Sequence, residues 1–201
     1  MAPQLFVGQS DSTLVTVVLF WLVFYIWLGS ELFIGWKLRA PAGATTHDAA
    51  SRFVLIGSIY VGIGVGFGLA FGVQSAAFTS WRRPLLGLGL ALMLIGMALR
   101  WYSIRVLGRS FTTTVMTRPD QTVVEAGPYR WIRHPSYTGG LITILGILVC
   151  LTNPVAFLGL IPPLAGYAYR IHIEEKALAR SLGDPYRSYM RRTKRLIPFL
   201  V

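Results

Sequence analysis

The chain has 201 residues, of which 54% are hydrophobic and 13% are charged, and its formal net charge is +11. Soluble domains carry about 25% charged residues, so this composition argues against a soluble protein and favours a membrane protein. The hydrophobic content also argues against a nucleic-acid-binding module. We therefore interpret the positive charge as cations that face anionic membrane lipids.

Four apolar stretches follow one another, at residues 14–34, 53–73, 84–107 and 139–169. A helix needs about 20 apolar residues to cross a bilayer, so each of the first three predicts one membrane span. Asn153-Pro154, a turn dipeptide, interrupts the fourth stretch and predicts a tight helical hairpin with arms at residues 137–152 and 154–173. Pro162-Pro163 should kink the second arm. The predicted fold is an all-α integral membrane protein with five transmembrane helices, a cytoplasmic catalytic segment and C-terminal helices.

The charges also predict an orientation. Residues 1–13 contain no Lys or Arg and no small-residue cleavage site follows, so we expect the first span to be retained. With five spans and the N-terminus outside, all of the 19 Lys and Arg residues except Arg82 and Arg83 face the cytoplasm. This positive-inside pattern predicts a cytoplasmic C-terminus and site. The basic balance and the single cysteine resemble those of a prokaryotic inner-membrane protein.

The first half of the chain, residues 1–107, is interpreted as a three-span scaffold, and residues 108–201 as the catalytic half, the two forming one integrated domain. In the second span, Gly62, Gly64, Gly66, Gly68 and Gly72 form pairs four residues apart that predict close helix packing. We expect these pairs to dock the second span against the first.

The chain has one cysteine, Cys150, and its three histidines, His47, His134 and His172, are scattered. No Cys and His set has the spacing of a zinc site, so we predict no metal.

Three pieces of the second half form one constellation. They are RHPSYTG at residues 133–139, Asn153-Pro154, and RIHIEEKAL at residues 170–178, which is followed by GDPYRSY at residues 183–189 and by Pro198. In this order and spacing, over about residues 105–199, they resemble the isoprenylcysteine carboxyl methyltransferase family. They resemble membrane phospholipid N-methyltransferases more distantly.

The resemblance implies a membrane enzyme that uses S-adenosylmethionine and draws a lipophilic acceptor from the bilayer. The implied reaction is carboxyl O-methylation of an isoprenylcysteine-like or other lipid-tailed carboxylate. Carried onto matching positions, it implies a catalytic role for Arg170, which would hold the acceptor carboxylate. It also implies cofactor contacts at Gln121, Thr122, Val123, Val124, Tyr129, His134, Pro135, Ser136, Tyr137 and Glu174.

The residue types suit this chemistry. Tyr129 and Tyr137 offer π-faces to a sulfonium cation or an adenine, and Glu174 can accept from a hydroxyl or an ammonium group. Arg170 can bind a carboxylate bidentately. A carboxylate acceptor is already ionised at neutral pH, so it needs no general base.

Several alternatives stay open at this stage. Arg170 and Glu174, four apart on one helix, could form a simple ion pair, and Glu175, Arg130 and Arg133 could be structural or functional. A membrane reductase of the sterol-reductase type, using a nicotinamide cofactor, is the main functional alternative. A phospholipid N-methyltransferase, which would need a base such as His134 or Glu175, and a non-enzymatic scaffold are the others. No obligate protein partner is predicted.

Overall fold

The computed structural model describes residues 11–37, 46–48, 50–108, 115–116 and 122–197. The described chain is helical apart from one small pairing of two strands. Its α-helices are α1 (Asp11–Lys37), α2 (Ala50–Gly72), α3 (Arg82–Leu107), α4 (Pro135–Cys150), α5 (Ile161–Leu182) and α6 (Asp184–Arg192). Short 3₁₀ helices cover Gln74–Ala76, Gly127–Arg130 and Pro154–Leu160.

The two strands, β1 (Thr46–Asp48) and β2 (Val115–Met116), pair antiparallel. β2 begins at the end of a β-branched run, residues 112–115, which favours extended backbone. This pairing is an addition to the helical fold that the sequence predicts.

Among the described residues, three helices have the length and composition of membrane spans. They are Leu14–Lys37 within α1, Ala50–Gly72 and Arg82–Leu107, with mean hydropathies of 2.1, 2.1 and 1.7. The first three predicted spans are therefore confirmed within a few residues, as is a helical, integral-membrane protein. α4 is apolar but has only 16 residues, so the fourth and fifth spans stay a prediction.

α3 and α4 approach so closely that their backbones touch. Gly89 and Gly96 of α3 face Gly146 and Gly139 of α4, and a Cβ at Gly139 would lie 2.6 Å from the Gly96 carbonyl oxygen. On both helices the glycines are seven residues apart, which places each pair on one face. Small residues at this spacing are what close packing of membrane helices requires.

The glycines of α2 pack against a different partner from the one expected. A Cβ at Gly62 would overlap the Gly159 carbonyl and Pro163, and one at Gly66 would overlap Leu148. These glycines therefore dock α2 on the C-terminal half, and the predicted docking on α1 is wrong. α2 meets α1 through an aromatic ring instead: Phe67 lies 6.4 Å from Phe20, 5.9 Å from Trp21 and 6.2 Å from Phe24, centroid to centroid.

The chain turns at Asn153 between α4 and the 3₁₀ helix Pro154–Leu160. The Asn153 side chain accepts from the Val155 amide at 3.0 Å and donates to the Val73 carbonyl at 2.8 Å, which ties the turn to the end of α2. Pro162 and Pro163 lie in the first turn of α5, so the expected kink in a continuous second arm is wrong. Proline is tolerated there because the first amides of a helix have no partner within it.

The α3–α4 contact gives a test with a matched control. Gly89→Ala should lower the thermal midpoint in detergent, because its Cβ would overlap Cys150 and the Gly146 carbonyl, and overpacking costs roughly 1–3 kcal/mol. Gly87→Ala, on the same helix with open space around it, should leave the midpoint unchanged or raise it. Equal midpoints for the two variants would contradict the described packing.

Candidate active site

The first turn of α4 is held in place by the end of the chain. His134 is the N-cap of α4 and Pro135 its first residue. The amides of Arg133 and His134 donate to the carbonyls of Lys194 and Arg195 at 2.8 and 3.0 Å. Two elements far apart in sequence therefore fix the backbone from which the predicted cofactor residues project.

A buried carboxylate, Glu175 of α5, joins the same elements. Its Oε1 lies 2.7 Å from Arg133 Nε and its Oε2 lies 3.0 Å from Arg195 Nη2, while His134 Nε2 is 3.5 Å from Oε1. Burial disfavours ionisation of Glu175, but hydrogen bonds from His134, Arg133 and Arg195 outweigh it and lower the pKa of the carboxyl to about 2. We interpret this cluster as a structural clamp between α4, α5 and the tail.

Tyr137 is the point at which the predicted cofactor and acceptor residues meet. Its ring stacks on His134 with a centroid distance of 5.4 Å and an interplanar angle of 6°. Its hydroxyl donates to Glu174 Oε2 at 2.6 Å and accepts from Arg170 Nε at 3.4 Å. Arg170 and Glu174 are thus connected through the tyrosine, which differs from the simple ion pair that their spacing suggests.

Arg170 has a further partner on α2. It is 3% exposed, and its Nη1 donates to Ser51 Oγ at 2.6 Å. The guanidinium therefore links α5 to both α4 and α2. The sequence did not indicate Ser51, which lies 119 residues away from Arg170.

Tyr129 lies beside this group. It is buried in the 3₁₀ helix Gly127–Arg130, and its carbonyl accepts from the Tyr189 hydroxyl at 2.6 Å. Burial and then the charge of the Glu174 carboxylate raise the pKa of the Tyr129 phenol above its usual range.

The other residues that are predicted to contact the cofactor lie outside the hydrogen-bonded group of Tyr137, Glu174 and Arg170. Pro135 and Ser136 are buried in the first turn of α4. Thr122 is exposed, and Val123 and Val124 are half-buried in irregular chain before the 3₁₀ helix. Gln121 lies outside the described residues. Of the two arginines left open, Arg133 binds Glu175, and Arg130 is exposed.

A second arginine, whose side chain is only 13% exposed, was missed by the sequence reasoning. Arg100 of α3 binds Glu31 of α1 bidentately, with Nε–Oε1 at 2.5 Å and Nη2–Oε2 at 2.7 Å. Its Nη1 donates to Ser136 Oγ at 3.0 Å and to the Ser136 carbonyl at 3.3 Å. The available signal was a pair of lone charges in two apolar stretches, because such residues usually pair with each other.

Residues from both halves of the chain line a cavity of about 230 Å³. One part of its wall is apolar and comes from α1 and α2, including Trp27, Leu28, Leu32, Leu55, Ile56 and Ile59. Its polar lining residues include Glu31, Arg52, Arg100, Tyr137 and Arg170. An apolar wall with a few cationic groups suits a ligand that has a lipophilic tail and an anionic head.

No group of three or more metal-ligating side chains occurs among the described residues. Of the three histidines, His47 lies where the structure describes no side chain.

The chain is similar in sequence to proteins of one family. Residues 88–180 match the model of the isoprenylcysteine carboxyl methyltransferase (ICMT) family. Protein-S-isoprenylcysteine O-methyltransferase B of Arabidopsis thaliana is 35% identical over 115 residues, which is 56% of this chain and 58% of that protein. The enzymes of the same name from Xenopus laevis and Saccharomyces cerevisiae are 32% and 33% identical over 56% of this chain, and over 40% and 48% of their own lengths.

A solved structure agrees with the sequence matches. The structure of the eukaryotic intramembrane Ras methyltransferase ICMT superposes with a TM-score of 0.53 at 26% identity, over 75% of this chain and 53% of that one. The resemblance to the ICMT family is thereby confirmed. The chain spans about half the length of the curated relatives it matches.

The Arg100–Glu31 pair gives a stability test. Glu31→Ala should lower the free energy of unfolding by roughly 3 kcal/mol, the low end for a broken buried pair, because it leaves the Arg100 charge without a carboxylate. Glu125→Ala is the control, since it breaks the exposed pair with Arg192 and should cost at most about 1 kcal/mol. Thermal midpoints in detergent measure both, and similar losses would show that burial does not strengthen the Arg100–Glu31 pair.

The Glu175 clamp predicts a pH dependence. The pKa of Glu175 is lowered from 4.5 to about 2, so its contribution to stability is complete above pH 4.5 and is lost as the pH falls towards 2. The difference in thermal midpoint between the wild type and Glu175→Gln should therefore be constant near neutral pH and shrink on acidification. A difference that grew as the pH fell would mean that the clamp does not stabilise the ionised carboxyl.

Proposed function

We propose that the protein transfers a methyl group from S-adenosylmethionine to the carboxylate of a lipophilic acceptor of the isoprenylcysteine type. One observation carries this proposal: the Tyr137 hydroxyl bonds both Glu174, which is assigned to the donor, and Arg170, which is assigned to the acceptor. A donor and an acceptor bound to these two groups would meet at Tyr137, which also lines the cavity. The relatives named above support the same activity.

The donor side has the groups that S-adenosylmethionine requires. His134 and Tyr137 present stacked aromatic rings, which attract a cation such as a sulfonium. The Nε2 atom of His134 lies 3.5 Å from Glu175 Oε1, so the Glu175 cluster orients this ring beside Tyr137. Glu174 is half-buried and anionic, which suits an ammonium group or a ribose hydroxyl. When bound, the donor supplies an electrophilic methyl group.

The acceptor side binds an anion at the end of an apolar cavity. Arg170 is the group we assign to the carboxylate, and the walls from α1 and α2 receive the adjacent part of the tail. Because a carboxylate is already ionised, these residues need only align it with the donor and exclude water. Alignment of two bound reactants can lower a barrier by about 7–11 kcal/mol.

The proposal includes the membrane topology. Five spans, with the last two formed by α4 and by residues 154–173, place the site on the cytoplasmic side, where nearly all Lys and Arg residues would also lie. A prokaryotic inner membrane fits this charge distribution. The named relatives are methyltransferases, so the reductase alternative gains no support from them.

Transfer of label tests the proposed reaction. Membranes that contain the protein are incubated with methyl-labelled S-adenosylmethionine and N-acetyl-S-farnesylcysteine, and the extracted product is treated with base. We expect label in the product that is released by base as methanol, because the bond formed is a carboxylic ester. Base-stable label in a phospholipid headgroup would indicate N-methylation, and no label in any fraction would reject the proposal.

The donor pocket is tested by removing single polar atoms. Tyr137→Phe and Glu174→Gln should each raise the dissociation constant for S-adenosylmethionine about tenfold, since hydrogen bonds to charged groups contribute about 1.5–3 kcal/mol. Tyr169→Phe, at an exposed tyrosine on α5, is the matched control and should bind like the wild type. Calorimetric titration of purified protein measures all four, and unchanged binding in the two site variants would refute the assigned pocket.

A further inference from the structure

We infer that Ser51 of α2 is a positioning residue for the acceptor, and that it acts by orienting Arg170. This inference rests on the proposed function, because it concerns the arginine that we assign to the acceptor carboxylate. It gives the N-terminal half a direct part in the site, beyond that of a membrane scaffold.

The Ser51 hydroxyl makes a hydrogen bond between two helices. Its Oγ accepts from Arg170 Nη1 at 2.6 Å, and the residue is fully buried. Ser103 of α3 is equally buried, but its hydroxyl donates to the Leu99 carbonyl of its own helix at 2.6 Å. Ser51 lies in the first turn of α2.

Two hydrogen bonds on different nitrogens define the plane of the Arg170 guanidinium. Tyr137 is 3.4 Å from Nε on one side, and Ser51 is 2.6 Å from Nη1 on the other. A guanidinium binds a carboxylate as a rigid planar fork, so its orientation decides whether both oxygens can be reached.

A series of hydrogen bonds therefore connects Glu174, which is assigned to the donor, with Ser51 of α2. The order is Glu174, Tyr137, Arg170 and Ser51, each joined to the next by a hydrogen bond. Ser51 also lies outside residues 88–180, the region that matches the family. The contact belongs to the part of the chain that also provides most of the cavity's apolar wall.

The test separates acceptor binding from donor binding. With N-acetyl-S-farnesylcysteine as the probe, Ser51→Ala should raise the KM for the probe about tenfold, because the loss of a hydrogen bond to the charged group that binds the probe weakens binding by this order. The dissociation constant for S-adenosylmethionine should stay within about twofold. Ser51→Cys keeps the volume but accepts hydrogen bonds weakly, so it should show the same shift. Ser51→Thr keeps the hydroxyl and should restore most of the affinity.

Ser103→Ala is the matched control, because it removes an equally buried hydroxyl that bonds only within its helix. Wild-type activity with an unchanged KM in Ser51→Ala and Ser51→Cys overturns the inference alone. So does an equal loss of donor affinity in both variants, which would mark a general structural effect. Wild-type protein that neither binds nor methylates the probe overturns the proposed function, and this inference with it.

Discussion

The structure depends on the pairing of two arginines that are buried among apolar helices. An isolated charge in such surroundings costs several kcal/mol, so each guanidinium needs partners that are also inside the helix bundle. Arg100 has Glu31 and Ser136, and Arg170 has Ser51 and Tyr137. In both cases one partner comes from the first two helices, so the two halves of the chain must assemble for either charge to be satisfied.

Close helix packing brings these partners into range. The glycine contacts between α3 and α4 place Arg100 beside the first turn of α4, where Ser136 lies. On the other side, Gly62 and Gly66 let α2 approach the 3₁₀ helix Pro154–Leu160 and α5, which brings Ser51 to Arg170. The glycines thus allow the helices to approach closely, and this approach brings the polar side chains within hydrogen-bond distance of each other.

Hydropathy predicted α1, α2 and α3 because a long apolar run has few alternatives to a membrane helix. The motif resemblance predicted that Tyr137 and Glu174 would belong to one site, and they are in contact. The contact of Arg170 with Ser51 could not be predicted, because a separation of 119 residues leaves no local pattern, whereas the lone charges of Glu31 and Arg100 in two apolar stretches were a usable signal. The glycine pairs of α2 indicated a packing face, but a stripe of small residues does not specify which helix lies opposite.

The central claim is that the group formed by His134, Tyr137 and Glu174 binds a methyl donor. The most direct measurement is the thermal midpoint of the purified protein in detergent, titrated with S-adenosylmethionine and, separately, with reduced nicotinamide dinucleotides. A ligand that binds only the folded state raises the midpoint in a saturable way. We expect such a rise with S-adenosylmethionine alone. A saturable rise with a nicotinamide dinucleotide and none with S-adenosylmethionine would contradict it.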